Sequence, residues 1–158
     1  MNHYLLTAAE LFFLILCVGF FTSSETAYLS LPRLKLRSMV EQGRRNAKKV
    51  AALKANMDRL LTTVLIGTNF LNSLASAIAT AFAIDLLGSR GVAIAPFVTA
   101  FFITTFAQIV PKTAAGLHPD TFTCFSAWPL MILEKLFFPI VWLFEKISHG
   151  AVVLEEKI

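Results

Sequence analysis

The sequence of 158 residues is too apolar for an ordinary soluble domain, because 56% of its residues are hydrophobic, only 15% are charged and the mean hydropathy is +0.69. Its length leaves room for one domain, and its composition predicts an integral all-α membrane protein. The sequence has no nucleophile and base pair, no clustered His/Cys ligands and no phosphate-binding loop, so an enzyme is not expected.

The first apolar segment covers residues 5–31 and contains an unusual run of polar residues from Thr22 to Thr26. About 20 apolar residues of helix span a bilayer, so Glu25 is expected at membrane depth. A carboxylate there costs about 2.5 to 3.5 kcal/mol unless it faces protein, water or an ion, which favours a functional site. The alternative is that Glu25 lies near the cytoplasmic end and reaches water, since Arg33 follows only eight residues later. No basic region precedes the segment, which favours a retained helix over a cleaved signal.

A basic stretch follows the first segment, and it holds nine of the fourteen Lys and Arg residues between positions 33 and 59. Such a cluster beside a membrane segment marks the cytoplasmic side, so the N-terminus is expected outside and the C-terminus in the cytoplasm. Apolar residues alternate with the basic ones, which predicts interfacial helices at the membrane surface with a turn near Gly43. No aromatic residue is interleaved with the charges, so the expected partner is the lipid bilayer and not nucleic acid.

Two further apolar segments, residues 60–86 and 91–116, predict a second and a third membrane span joined by a short external loop at residues 85–91. The second carries polar residues at helical spacing, namely Asn69, Asn72, Ser73, Ser76 and Thr80. Small and amide residues also serve plain helix packing, and for the serines and threonine the two interpretations stay open. Two asparagines one turn apart need a partner helix or an ion, because the hydrocarbon offers their amides none.

The third span ends at Pro111, where the helix is expected to break. Proline lacks an N–H and crowds the carbonyl four residues earlier, so the carbonyl of Ala107 is expected to be freed beside Gln108. Broken membrane helices with freed carbonyls often build cation sites, although a plain kink for packing is the alternative.

The last apolar stretch, residues 122–148, is interrupted by Pro129 and Pro139 and carries Glu134 and Lys135 at its centre. It predicts short interfacial helices on the cytoplasmic side in place of a fourth span. Residues 150–158 form a tail. Cys17 and Cys124 lie in apolar surroundings and are expected to be buried thiols.

Three motifs in this order resemble the transmembrane domain of the CNNM/CorC magnesium transporters. They are Phe20-Phe21-Thr22-Ser23-Ser24-Glu25-Thr26-Ala27, Leu65-Ile66-Gly67-Thr68-Asn69-Phe70-Leu71-Asn72 and Ala107-Gln108-Ile109-Val110-Pro111-Lys112-Thr113. The resemblance implies a domain over residues 1–149, with three transmembrane helices and cytoplasmic-side juxtamembrane helices. It further implies a homodimer, in a bacterial inner membrane, that exports largely dehydrated Mg²⁺ by alternating access, with Na⁺ as a candidate coupling ion.

Carried over by motif, the implied ion ligands are Ser24, Asn72, Gln108 and the backbone around Ala115, with Ser23 and Asn69 as neighbours and Glu25 as a compensating carboxylate. Oxygen ligands of this kind suit Mg²⁺, a hard cation that prefers octahedral geometry at about 2.0 to 2.1 Å.

The sequence departs from the family in two respects. Gln108 stands where the family's third motif usually has Glu, and the loss of a charge beside a divalent cation is expected to weaken binding. Members of the family usually continue into a pair of CBS domains, and no CBS pair is present here, so a separate CBS-domain protein is a possible partner. The resemblance therefore leaves two hypotheses, a Mg²⁺ transporter domain and a transport-inactive membrane subunit or regulator.

Overall fold

The computed structural model describes residues 2–143 and Lys146, and these residues fold into a bundle of helices. Residues 150–158, predicted as a tail, and the last residues of the predicted 122–148 segment lie outside the described part. The helices are α1 (Asn2–Ser30), α2 (Arg33–Glu41), α3 (Ala47–Ala55), α4 (Met57–Leu87), α5 (Ser89–Phe102), a π-helical segment (Ile103–Ile109), α6 (Val110–Leu117) and α7 (Pro119–Leu136). Residues 138–143 are helical again after a bend at Phe137.

Three helices are long and apolar enough to cross a membrane, namely His3–Ser30, Met57–Leu87 and Ser89–Leu117. The prediction of an all-α membrane fold with three spans is therefore confirmed. The third span is continuous, because α5, the π-helical segment and α6 follow one another without a break.

Helix α1 lies at the centre of the bundle, in contact with α4, the π-helical segment, α6 and α7. It runs antiparallel to α4, since Tyr4 packs on Phe82 near one end and Phe21 meets Gly67 farther along. It runs parallel to α6, because Gly19 meets Pro111 and Thr26 meets Gly116. The end of the bundle that carries α2 and α3 is called the basic end below.

At the basic end, α2 packs on α3, and α3 packs against α7 and reaches the C-terminus of α1 through Lys54. The Lys54 ammonium donates hydrogen bonds to the carbonyls of Tyr28 and Leu31, the first at 2.8 Å, and so satisfies groups that the helix end leaves without partners. Asp120 accepts a hydrogen bond from Arg44 at 2.7 Å and lies 3.4 Å from the Lys35 ammonium. These contacts tie α2 and the turn after it to the first turn of α7.

Electrostatic interactions stabilise the contact of α2 and the turn after it with α7. The Arg44 hydrogen bond, followed by the charge of Lys35, lowers the pKa of Asp120 from 3.8 to about 2, although partial burial opposes the shift. Arg59 Nε lies 3.2 Å from Glu134 Oε1 and forms an ion pair with it, but the two groups are not aligned as a hydrogen bond. The Arg59 guanidinium also lies 4.4 Å from the centre of the Phe138 ring. A buried cluster fills the space beneath these contacts, centred on Tyr28, Leu60 and Leu130.

Three local features differ from the sequence-based expectations. The loop predicted between the second and third spans is reduced to one residue, Gly88, which has a positive φ of 63° and joins α4 to α5. The third span does not break at Pro111, because the chain widens into the π-helical segment just before it and continues as α6. The 122–148 segment is not interrupted at Pro129, since α7 runs through that residue to Leu136.

Candidate functional site

An apolar plug closes the centre of the bundle where α1, α4 and the third span meet. It consists of five buried residues: Leu14, Val18, Ala75, Ile103 and Ala107. The next turn of α1 and the next turn of α4 toward the basic end carry polar residues. On α1 this turn holds Thr22, four residues after Val18, and on α4 it holds Asn72, three residues before Ala75. Helical spacing therefore places both on the faces that meet in the plug.

Three side-chain oxygens in this region are buried and have no hydrogen-bond partner among the described residues. They are Thr22 Oγ1 on α1 and, one turn apart on α4, Thr68 Oγ1 and Asn72 Oδ1, and we call them the orphan oxygens. The two helices are in close contact at this level, because a Cβ on Gly67 would lie only 2.7 Å from the Phe21 ring. Buried polar atoms are normally paired, so this group needs an explanation such as a water or an ion.

The serine motif is oriented differently from the orphan oxygens. Ser23 and Ser24 donate their hydroxyls to the same carbonyl, that of Phe20, at 3.0 and 2.7 Å. Both line a cavity of about 270 Å³ that is bounded by α1, the third span and α7 and that also includes Pro111 and Ser126. Ser24 is only 1% exposed, and its oxygen keeps lone pairs that a cation can use.

The polar face of α4 continues away from the basic end. Asn72, Ser73, Ser76 and Thr80 line an open groove of about 650 Å³ on this helix. Asn69 is exposed, in contrast to Asn72, although the sequence pairs them one turn apart. The structure thus places Asn72 at the meeting point of the orphan oxygens and the groove, and Ser23 and Ser24 in a separate cavity.

Gln108 and Ala115 lie on the third span. Gln108 is half-buried at the end of the π-helical segment, and Ala115 is fully buried in α6. Close packing holds this region against α1, because a Cβ on Gly19 would lie 3.3 Å from the Pro111 ring and 3.9 Å from the Ala107 carbonyl oxygen. Pro111 has no N–H to donate to the preceding turn, and the freeing of the Ala107 carbonyl beside Gln108 stays a prediction.

Glu25 lies 3.9 Å from the Lys112 ammonium, and both side chains are partly exposed at 38% and 49%. On α1, Glu25 follows Thr22 by three residues, and on the third span Lys112 follows Gln108 by four. The pair therefore lies one turn closer to the basic end than Thr22 and Gln108. Glu25 reaches a partner near the end of the span and is not isolated at the centre of the bundle.

Thr22 and Thr68 were not among the ligands that the sequence motifs implied. A periodicity signal for them was present, since Thr22 follows Val18 by four residues and Thr68 precedes Asn72 by four. The sequence could not show which hydroxyl groups already have a hydrogen-bond acceptor within their own helix. Five hydroxyl groups donate in this way, namely those of Ser23, Ser24, Thr26, Thr63 and Thr80. Only the fold separates these from the orphan oxygens.

No group of three or more His, Cys, Asp or Glu side chains that could hold a metal occurs among residues 2–143 and Lys146. A cation bound at the orphan oxygens would thus meet neutral hydroxyl and amide oxygens, with Glu25 as a carboxylate one turn away. Such ligands fit a hard cation that binds oxygen and not a transition metal that prefers nitrogen or sulfur.

Together, the three membrane-spanning helices and the polar site between them define an integral membrane domain. Residues 9–157 match the family described as the cyclin M transmembrane N-terminal domain, CNNM. The chain belongs to this family.

Curated relatives agree with this assignment. The chain is 43% identical over 131 residues to the UPF0053 inner membrane protein YfjD of Escherichia coli K12, which covers 83% of this chain and 31% of the relative. It is 43% identical over 133 residues to a UPF0053 protein of Haemophilus influenzae, covering 82% of this chain and 32% of that protein. A chloroplastic DUF21 domain-containing protein of Arabidopsis thaliana, At1g55930, is 29% identical over 132 residues, 84% of this chain and 20% of the plant protein. The chain thus spans about a third or less of the length of these relatives.

Proposed function

We propose that this chain is the membrane domain of a Mg²⁺ transporter that moves the ion through the bundle by alternating access. The observation that carries the proposal is the group of orphan oxygens, buried between α1 and α4 directly beside the apolar plug. Leaving a buried acceptor without a partner costs about 1 to 3 kcal/mol, and a bound cation would remove that cost.

The position of the plug supports alternating access. Leu14, Val18, Ala75, Ile103 and Ala107 separate the orphan oxygens from the end of the bundle opposite the basic end. Passage of an ion through the centre of the bundle therefore requires the helices to separate at the plug. The π-helical segment contributes two of these residues, and π-helical turns frequently occur at functional sites in helices.

We further propose that the domain works as a homodimer. The α4 groove exposes hydroxyl and amide groups on a helix whose surface otherwise faces lipid, where unsatisfied polar groups cost several kcal/mol. A second copy that covers the groove would remove this cost. The printed name of the Escherichia coli relative refers to an inner membrane protein, which supports the same location here, with the basic end in the cytoplasm.

The test is thermal unfolding of the detergent-solubilised protein during a titration with MgCl₂. A ligand that binds only the native state raises its stability by RT ln(1 + [L]/Kd), or about 2.7 kcal/mol at one hundred times Kd. We expect a saturable rise in the melting temperature with Mg²⁺ that is lost in Asn72→Ala. Titrations with CaCl₂ and NaCl report selectivity and whether Na⁺ competes.

Ser89→Ala is the control for Asn72→Ala, because Ser89 is exposed in the first turn of α5, far from the plug along the third span. Asn69→Ala, exposed one turn before Asn72 on α4, should weaken the Mg²⁺ response much less than Asn72→Ala. If all three variants respond like the unmodified protein, the site assignment is wrong. Mg²⁺ flux into proteoliposomes then tests transport itself.

Two observations favour a second candidate function, a transport-inactive subunit or regulator. Gln108 provides no charge, and Glu25 is already paired with Lys112. A flat Mg²⁺ titration up to tens of millimolar would support this candidate. Gln108→Glu separates the two, since a transporter weakened by the amide should bind Mg²⁺ more tightly when the carboxylate is restored.

A further inference from the structure

We propose that Lys112 acts as a tethered counter-ion, which holds Glu25 when no cation is bound and releases it when the transported cation arrives. The inference rests on the proposed function for its cation, but the ion pair on which it depends is a separate observation. It assigns Lys112 as a positioning residue that tunes cation affinity.

The geometry of the pair carries the first step. Glu25 Oε2 lies 3.9 Å from Lys112 Nζ across the contact between α1 and α6. This contact is close and continuous, because Gly19 meets Pro111 on one side of the pair and Thr26 meets Gly116 on the other. The two charged groups are therefore held next to each other by the helix packing and not by chance encounters of long side chains.

The position of the pair carries the second step. It lies one turn from Thr22 and Gln108 on the side of the basic end, while the apolar plug lies on the opposite side of the orphan oxygens. An ion that moves between the basic end and the orphan oxygens must pass the level of this pair. Partial exposure of both side chains leaves the pair open to exchange with ions in solution.

The charge balance carries the third step. Glu25 is the one carboxylate among the candidate ligands, because Ser23, Ser24, Asn69, Asn72 and Gln108 are neutral. With Lys112 attached, the local charge is zero, and an arriving divalent cation must displace the ammonium to gain the carboxylate. The ammonium can move away, since four methylene groups let a lysine side chain extend toward the headgroup region.

Competition between Lys112 and the cation for Glu25 should lower the affinity for Mg²⁺. Removing the Lys112 charge should tighten Mg²⁺ binding, because the Glu25 carboxylate is then unpaired before the cation binds. Exposed or partly exposed pairs contribute about 0.2 to 1 kcal/mol, so Lys112→Met should lower the dissociation constant about 1.4- to 5-fold. Lys112→Arg keeps the charge and should leave the dissociation constant unchanged.

The experiment is a double-mutant cycle of Lys112→Met and Glu25→Gln in the full chain, in lipid nanodiscs, with thermal stability measured without divalent ions and at saturating MgCl₂. Without Mg²⁺ we expect a non-additive effect of the two substitutions, and with Mg²⁺ we expect this coupling to disappear. In titrations, Lys112→Met should tighten binding only where Glu25 is present.

Each outcome separates this inference from the proposed function. Mg²⁺ binding by the unmodified protein, combined with additive substitutions under both conditions, overturns the counter-ion role and leaves the transporter proposal intact. An equal gain from Lys112→Met in the Glu25→Gln background also overturns it, because Lys112 would then repel the cation independently of Glu25. A protein that does not respond to Mg²⁺ at all overturns both proposals, whatever coupling the ion pair shows in its absence.

Discussion

Two polar regions of this protein differ in whether their polar groups have partners within the chain. At the basic end, Lys54 caps α1 and Asp120 binds Arg44 and Lys35, so the charged groups there find partners within the chain. Around the orphan oxygens, Thr22, Thr68 and Asn72 are buried without partners in the described part of the chain. Among the described residues, the first region leaves one buried side-chain polar atom without a hydrogen bond, Arg59 Nε, and this atom lies 3.2 Å from the Glu134 carboxylate. The second region leaves three neutral oxygens with neither a hydrogen bond nor an ion pair.

The largest expected effect comes from forcing apart the helices that hold the orphan oxygens. Gly67→Val should destabilise the protein by about 1 to 3 kcal/mol and abolish its Mg²⁺ response, because a side chain there would overlap the buried Phe21 ring. Gly116→Ala is the matched control, since its new methyl group would meet only Thr26 Cγ2 at an ordinary 3.9 Å. Thermal unfolding of both variants checks the pair, and equal stability would contradict the close α1–α4 contact.

A smaller effect is expected from the basic end, and it depends on pH. The pKa of Asp120 is lowered from 3.8 to about 2 in the folded protein, so its ion pairs stabilise the fold above pH 4 and are lost as the pH falls toward 2. Asp120→Asn should therefore lower the free energy of unfolding by about 1 to 2 kcal/mol at pH 7. The variant should also lose less stability than the unmodified protein when the pH falls below 4.

Glu41→Gln is the control for Asp120→Asn, because the Arg37–Glu41 pair is far more exposed. Its effect should stay below about 0.5 kcal/mol. Stability profiles between pH 2 and pH 7 measure both, with Mg²⁺ binding at pH 7 unchanged in each. A change in Mg²⁺ affinity in Asp120→Asn would show that the two regions are not independent.

The smallest effect has the opposite sign and addresses the orphan oxygens directly. Thr68→Val removes a buried hydroxyl without a partner and keeps the shape of the side chain, so it should stabilise the Mg²⁺-free protein by about 0.5 to 1 kcal/mol. The same substitution should reduce the stabilisation by Mg²⁺. Thr63→Val is the matched control on α4, because the Thr63 hydroxyl donates to the Arg59 carbonyl at 2.9 Å. A loss of stability in Thr68→Val equal to that in Thr63→Val would contradict the description of its oxygen as unsatisfied.

The sequence predicted the spans well because long apolar runs have few alternatives in a membrane. It failed at Pro111 and Pro129, where the outcome depends on neighbouring turns, whereas the interruption predicted at Pro139 lies close to the observed bend at Phe137. At Pro111 the upstream residues widen into a π-helical segment, and at Pro129 the helix α7 continues while Thr123, Ser126, Ala127 and Leu130 remain buried. A missing N–H removes one hydrogen bond, and packing decides whether the helix ends there.

The candidate site was predictable in its location but not in its orientation. The first two motifs include the turns of α1 and α4 that carry the orphan oxygens, and Asn72 is both a ligand implied by the motifs and an orphan oxygen, while its role as a ligand stays a prediction. They did not distinguish Thr22 from Ser24, because both are hydroxyl residues two positions apart. In the fold Ser24 binds the Phe20 carbonyl beside α7, whereas Thr22 follows Val18 on the face that packs in the plug.

The single residue between α4 and α5 has a consequence for how the protein enters its membrane. Gly88 alone separates the two helices, and a Cβ on Gly91 would overlap the Ala83 carbonyl, so the helices form a tight hairpin. So short a connection allows neither helix to be inserted with its own orientation, because reversing one would pull the other across the bilayer. The second and third spans therefore take their orientation together, as a unit.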